Sequence, residues 1–469
     1  MRWPFLILMT VAAVALCSPG ARGERSPNIV LIMADDVGYE GLSSYGSTTY
    51  KTPHLDRLAR NGARFRHCYS QPICTPSRVQ IMTGKYNHRN YTVFGKLRTD
   101  QTTFANLLRD AGYATAIAGK WQLGGGAETV RSFGFDQHCL WHLDGRQSRY
   151  WEPRISENGK LRTDVGDRFG PDVVCDFLLN FIDQNRERPF LVYYPMMLPH
   201  WPFIPTPDSP LGGSRERKGK YDGRPGGEEY FPDMVAYLDS LVGRIDAKLA
   251  EVGVRDNTLL IFTADNGCAI NIVSRRGDEV IKGGKGSMPD AGTHAPLIAS
   301  WPAVIEKATV NDSLVDFSDV LPTLLDVAGV RTPSELKTDG LSFLPQLKGA
   351  AEGRRQWVFC HYNPRPPRAT ADPKKKQQAL NKLTKLRTQK QLGRFARTQQ
   401  FKLYDDGRFY DVAADVLESR AIDVGVATTK VKRVHEMLQK VLDSQPEFQY
   451  FAAAGAKKKT NKKQPANKQ

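Results

Sequence analysis

Cys74 stands two residues before Pro76 and four before Arg78, a run whose residue types and spacing suit chemistry at a helix mouth. Pro76 fixes its own φ and needs no amide hydrogen, so Pro76 to Thr83 reads as the first turns of a helix with Cys74 just ahead of its start. A side chain there faces unpaired backbone N–H groups, which favour anions. Read alone, such a cysteine is more often a small buried apolar residue than a nucleophile. Oxygen donors come in two pairs. Asp35-Asp36 follow the apolar run Asn28 to Ala34, and Asp265-Asn266 follow Thr258 to Thr263. Both runs have the composition of strands buried on two faces. Adjacent carboxylates at the end of such a strand are costly unless a cation lies between them, and an open α/β sheet binds ligands along that edge. A solvated turn or a helix cap would use the same acids. Lys120 at another strand end, His200 within Pro199-His200-Trp201-Pro202, and Lys285 in the glycine-rich stretch Lys282 to Pro296 are the remaining candidates.

The pattern Cys74-x-Pro76-x-Arg78 followed by a short helix and Thr83-Gly84 resembles the signature of the type I, formylglycine-dependent sulfatases, arylsulfatase-like members of the alkaline-phosphatase-like superfamily. The likeness extends through Ala34 to Gly46 and through Thr52 to Arg78. It implies that a formylglycine-generating maturation enzyme converts Cys74 to Cα-formylglycine, whose hydrate supplies the attacking oxygen. It implies that Lys120 and Lys285 contact the sulfate, that His200 lies at the bridging oxygen, where it can protonate the departing alcohol, and that Arg78 orients the hydrate. With residue 74, the donors Asp35, Asp36, Asp265 and Asn266 complete an oxygen shell suited to Ca²⁺, with Mg²⁺ the runner-up; the absence of His and of a CxxC spacing from this set argues against zinc. Two positions depart from the family pattern. Sulfatases carry His two residues after the first lysine, where this chain has Gln122, which can hydrogen-bond the hemiacetal hydroxyl but cannot take its proton near neutral pH. His138 and His142 are the nearby replacements, and both read more simply as ordinary loop or core histidines. The family arginine after the second lysine is here His294.

The 469 residues carry a formal net charge of +16. Residues 365–397 hold eleven Lys or Arg against one acid, and the end of the chain from Ala452 holds six Lys, so the rest is close to neutral. Such runs are usually solvated faces or disordered ends; a polyanionic partner is the sharper reading. Residues 1–23 read as a cleavable signal peptide, which implies a periplasmic or extracellular protein. No later stretch is apolar and long enough to span a bilayer, and no nucleic-acid partner is expected. Of seven cysteines, five remain once Cys17 and Cys74 are set aside, permitting at most two disulfides.

The expected fold is α/β: a large mixed, mostly parallel sheet flanked by helices, over residues 24–350, then a smaller C-terminal unit of antiparallel sheet plus helix over 351–450. That unit carries the basic insertion 365–397, and residues 451–469 form a disordered tail. Thr52 to Phe65 reads as a helix, Val315 to Val330 as a helix capped by Ser318 or Asp319, and Phe401 to Val412 as a hairpin. The function implied is hydrolysis of a sulfate monoester on a sulfated carbohydrate or aryl sulfate. Rival readings are a phosphonate or phosphodiester hydrolase of the same superfamily, and a catalytically impaired protein that binds sulfated glycans. The oligomeric state is not legible.

Overall fold

The computed structural model describes residues 25–143, 145, 148–210, 227–367, 370–448 and 450–451. The segment 1–23 read as a signal peptide, and all but the first residue of the lysine-rich tail, lie outside them. Among the described residues sixteen strands follow in chain order: β1 Asn28–Ala34, β2 Ala63–Tyr69, β3 Ala114–Lys120, β4 Gln137–Trp141, β5 Ile155–Glu157, β6 Lys160–Leu161, β7 Phe190–Pro195, β8 Thr258–Ala264, β9 Val273–Arg276, β10 Glu279–Lys282, β11 His294–Ser300, β12 Thr309–Asp316, β13 Val358–Tyr362, β14 Gly393–Arg397, β15 Phe401–Tyr404 and β16 Phe409–Asp411.

Ten of them form one sheet in the order β12-β2-β11-β8-β1-β7-β3-β4-β5-β6. Its centre is parallel: β1 pairs with both β7 and β8, and β3 pairs with β7 and β4. Alternation along β1 shows why its sequence is apolar throughout. Val30, Ile32 and Ala34 enter one core, with the helices Gly170–Gln184 and Phe231–Glu251, while Ile29, Leu31 and Met33 enter another, with Cys74–Thr83, Phe104–Asp110 and Val320–Val327. Both faces of the sheet are therefore covered, as a mostly parallel sheet requires. A separate antiparallel sheet, β13-β14-β15-β16, packs against the helix Thr429–Asp443. This is the expected α/β fold with its smaller C-terminal sheet.

Several expected elements differ. The Thr52 to Phe65 helix ends at Arg60, and Ala63–Tyr69 is instead β2, an interior strand between β12 and β11. Gly62 makes the switch, since a Cβ there would meet the Ala299 carbonyl oxygen at 2.2 Å. The Val315 to Val330 helix begins later, because Thr309–Asp316 is β12 and a 3₁₀ turn, Phe317–Asp319, leads into Val320–Val327. Asp319 is the N-cap position of that helix, as expected, but without a side-chain cap bond, and Asp316 caps the 3₁₀ turn, accepting from the Ser318 amide at 2.9 Å. The last residues of the Lys282 to Pro296 stretch belong to β11. Of the basic run, Pro373–Thr388 is a helix and Gly393–Arg397 is β14. The six described cysteines are all buried and unpaired.

Candidate active site

The carboxyl ends of β1, β2, β3, β7 and β8 share one edge of the sheet, because these strands run in one direction. Asp35 and Asp36 leave β1, Lys120 ends β3 with Gln122 two residues on, His200 follows β7, and Asp265 and Asn266 follow β8. Backbone bonds lock the edge together: the Asp35 amide donates to the Leu198 carbonyl at 2.9 Å and that of Asp265 to the Ala34 carbonyl at 3.0 Å. β2 runs on into the helix Cys74–Thr83, all ten residues of which are buried. This helix starts at Cys74 itself, with Ile73 as its cap, two residues earlier than the sequence suggested. The Ser77 hydroxyl, 3.0 Å from both the amide and the carbonyl of Gln71, fixes the turn that delivers residue 74.

These side chains converge. Ligand atoms of Asp35, Cys74 and Asp265 all lie within 4.8 Å of one another, as do those of Asp35, Asp36 and His200. Lys120 Nζ is 2.7 Å from both oxygens of Asp35. Lys285 Nζ is 2.5 Å from Asp36 Oδ2, and Arg78 grips Asp265 Oδ2 through Nη2 at 2.8 Å and Nε at 3.1 Å. Asn266 Nδ2 donates to Asp36 Oδ1 at 2.9 Å, and its Oδ1 is buried and without a partner among the described residues. Gly267 lets this loop close, because a Cβ there would fall 1.7 Å from the Ala291 carbonyl oxygen. Nine of the ten residues singled out from the sequence, all but Gln122, thus meet in one cluster.

Its electrostatics favour a bound cation and a bound anion together. Burial pushes the Asp35 carboxyl up, but Lys120, with Arg78 and Arg149, holds it well below the usual carboxylate range. Asp36 is likewise held low against burial by the ammonium of Lys285. Asp265 goes the other way: burial, and then the charge of Asp35, push it up to about 7 although Arg78 opposes. Three carboxylates and an orphaned amide oxygen in one buried space are a donor set for a hard divalent ion. Burial raises the Cys74 thiol above its ordinary value despite Lys120 and Lys285, so this cysteine is not an activated thiolate. His200 is pushed well below its ordinary value by burial, against Asp36, and is neutral. Its Nδ1 lies 2.6 Å from the Trp201 carbonyl oxygen and donates to it, leaving Nε2 to face Asp36 at 3.6 Å.

Gln122 adopts φ 52° and is 7% exposed, with its Oε1 unpartnered among the described residues. His138 does not replace it: it lies on β4, with Arg131, Glu128 and Glu157 as its charged neighbours, none of them in the cluster. Sequence reading missed Arg149, whose Nη1 lies 3.5 Å from Asp35 Oδ2 and whose guanidinium stacks 3.9 Å over Trp141. It also missed Tyr150, whose hydroxyl donates to the carbonyls of Met197 and His200 and anchors the His200 loop. An arginine in a polar loop gives no signal of its own; only the adjoining aromatic pair, Tyr150-Trp151, hints at a fixed position.

Residues 27–330 match the family model for sulfatases. The chain belongs to the sulfatase family. As a sulfuric ester hydrolase it also matches, over residues 284–445, the model for the C-terminal part of N-sulphoglucosamine sulphohydrolase. The N-acetylgalactosamine-6-sulfatase of Canis lupus familiaris is 31% identical, over 73% of this sulfatase and 70% of that protein. The N-acetylglucosamine-6-O-sulfatase of Bacteroides thetaiotaomicron is 26% identical, over 95% and 91%. Among solved structures, that of BT4656 in complex with its substrate D-glucosamine-2-N,6-O-disulfate superposes with a TM-score of 0.67 at 22% identity, covering 89% of this chain and 97% of that one. Sulfatases as a family use a formylglycine and a divalent metal, and the buried, Asp-rich cluster fits such a metal. Among the described residues no helix is long and apolar enough to cross a membrane.

Proposed function

We propose that this sulfatase hydrolyses sulfate monoesters of a sulfated carbohydrate, using formylglycine formed from Cys74 by a maturation enzyme and a calcium ion held by Asp35, Asp36, Asp265 and Asn266. The observation that carries this reading is the meeting of Asp35, Cys74 and Asp265 within 4.8 Å at a helix mouth. Oxygen-only donors favour calcium, with magnesium second. The hydrate of the aldehyde would supply the oxygen nucleophile, and the ion would supply fixed positive charge beside the sulfate.

The chain's own side chains do the rest. Lys120 and Lys285 bind sulfate oxygens and offset the charge that develops on them, preorganised by the buried acids that hold them now. Arg78 fixes Asp265 as the carboxylate to take a proton from the nucleophile. His200 directs Nε2 into the site; the negative charge of an arriving sulfate raises its affinity for a proton, which it passes to the departing alcohol oxygen. Gln122 hydrogen-bonds the residue-74 oxygen without removing its proton, so release of sulfate depends on a weaker base such as water. The glycan class rests on the names of the relatives. Export through the leader 1–23, and a boundary near residue 350 between catalytic and C-terminal units, complete the proposal.

Parallel assays of the matured protein on an aryl sulfate, an aryl phosphonate and a panel of sulfated saccharides test it. Sulfate release at a rate well above that of the phosphonate is expected, while faster phosphonate cleavage would make this a phosphonate hydrolase.

A further inference from the structure

The helix Pro373–Thr388 carries six Lys or Arg and no acid, and only Leu383 of its sixteen residues is buried. At about 100° per residue, Lys374, Lys375, Lys382 and Lys385 fall within one arc of about 100°, on the side away from Leu383. All four are exposed. Lys375 lies 3.5 Å from Asp372, and the other three have no ion-pair partner among the described residues. Along the axis the row extends about 17 Å, at 1.5 Å per residue.

Both ends of this segment are fastened beside the active site. At its entry the Tyr91 hydroxyl donates to the Pro364 carbonyl at 2.6 Å, and the Arg365 guanidinium lies 5.2 Å from the Phe94 ring centre. Gly95, next in that loop, donates its amide to the Thr75 hydroxyl at 3.2 Å, one residue from Cys74. At its exit the Met288 amide donates to the Lys390 carbonyl at 2.8 Å, three residues beyond Lys285. The segment that carries the lysine row is therefore tied at both ends to the loops that flank residue 74 and Lys285.

We propose that this lysine face is a subsite for a sulfated polysaccharide chain, holding anionic sugars beyond the one whose sulfate enters the active site; the proposal rests on the sulfatase reading. Lysines are compact, strongly hydrated charges suited to sulfate groups, and Gln378 and Asn381 on the same face suit sugar hydroxyls. The face carries no aromatic residue. It therefore lacks the stacking platform that single-stranded nucleic acid uses. A row of exposed, mostly unpaired cations on a segment tied to a site that consumes anionic esters raises the local concentration of a polyanion and lengthens its stay.

The test compares the full chain with its Lys374→Gln/Lys375→Gln/Lys382→Gln/Lys385→Gln variant, the lysine-rich tail being present in both. A heparin-derived octasaccharide is the probe, titrated at two salt concentrations, with 4-nitrophenyl sulfate as the small substrate. The octasaccharide is expected to bind the variant at least tenfold more weakly, with a shallower dependence on salt, while kcat/KM for the aryl sulfate stays within twofold. Lys382→Gln/Lys385→Gln alone should give an intermediate loss, and equal melting temperatures show that the fold is intact. Unchanged octasaccharide affinity would overturn the proposal. So would single-stranded DNA of equal charge binding as tightly as the octasaccharide and losing as much. Absence of aryl sulfate turnover in both proteins would count against the enzymatic reading alone, because the octasaccharide titration decides the subsite by itself.

Discussion

Arg78 and Asp265, 187 residues apart in sequence, form a fully buried pair in which two guanidinium nitrogens share one carboxylate oxygen, at 2.8 and 3.1 Å. Arg78 Nη1 donates in addition to the Lys120 carbonyl at 3.1 Å, so one side chain ties the helix of residue 74 to the ends of β8 and β3. Arg78→Ala leaves a buried carboxylate without its counter-charge. A loss of about 3–5 kcal/mol is expected, measured by urea denaturation. Arg78→Lys keeps the charge but loses the fork, and should retain most of the stability while kcat on an aryl sulfate falls at least tenfold.

Gln122 sits in the left-handed region, which His also tolerates, and its side-chain oxygen lacks a partner among the described residues. Gln122→His introduces a group able to take a proton at this point. A rise in kcat of about tenfold or more is expected, together with a new limb in the pH profile near the ordinary histidine value. An unchanged profile would mean that expulsion of sulfate does not limit turnover.

Calcium must compete with the proton on Asp265, whose carboxyl stands at about 7 in the ion-free site. Binding therefore releases a proton below that value and none well above it. The rise in melting temperature on adding calcium should grow as pH increases from 6 to 8. It corresponds to about 2.7 kcal/mol once free ion exceeds its dissociation constant a hundredfold. Chelation should remove both this increment and the activity, and calcium should restore them at lower concentration than magnesium.

Asp316, away from the sulfate cluster, carries a pH dependence of its own. Burial pushes its carboxyl from 3.8 up to about 6, with Arg355 opposing and Asp319 adding to the rise. In this window the folded protein keeps a proton that the unfolded chain has lost, so stability falls as pH rises from about 4 to about 6, by roughly 3 kcal/mol. Asp316→Asn keeps the acceptor for Gln80, now at 2.6 Å, and for Ser318. Its unfolding free energy should lose that decline, read from denaturant titrations at pH 4, 5 and 6.

The catalytic edge was legible because its residues end strands that are apolar from end to end. Asn28–Ala34 and Thr258–Ala264 announce themselves as interior strands, and acids at their ends have few structural uses. β2 was not legible, since Arg64 and Arg66 break its apolar run and the helix before it stops only at Asn61-Gly62. β11 was hidden by Pro296, which reads as a loop residue. Long-range partners left no local mark. Asp290 beside the Lys285 loop is neutralised by Arg397 of β14 at 2.5 Å, and that guanidinium also lies 3.9 Å over Tyr69. His294 is stacked 4.1 Å from Tyr39, another partner distant in sequence. Arg149 stayed invisible for the same reason, because its value depends on where the chain folds Asp35 and Trp141.

The central claim is that residue 74 acts as an aldehyde beside a bound divalent ion. Its most direct test is peptide mass spectrometry of the segment around Cys74, after expression with a competent maturation enzyme, set beside aryl sulfate turnover of the same preparation. Formylglycine at position 74 is expected, with turnover proportional to the fraction converted and absent from Cys74→Ala. An unmodified thiol in a preparation that hydrolyses the sulfate at full rate would contradict it.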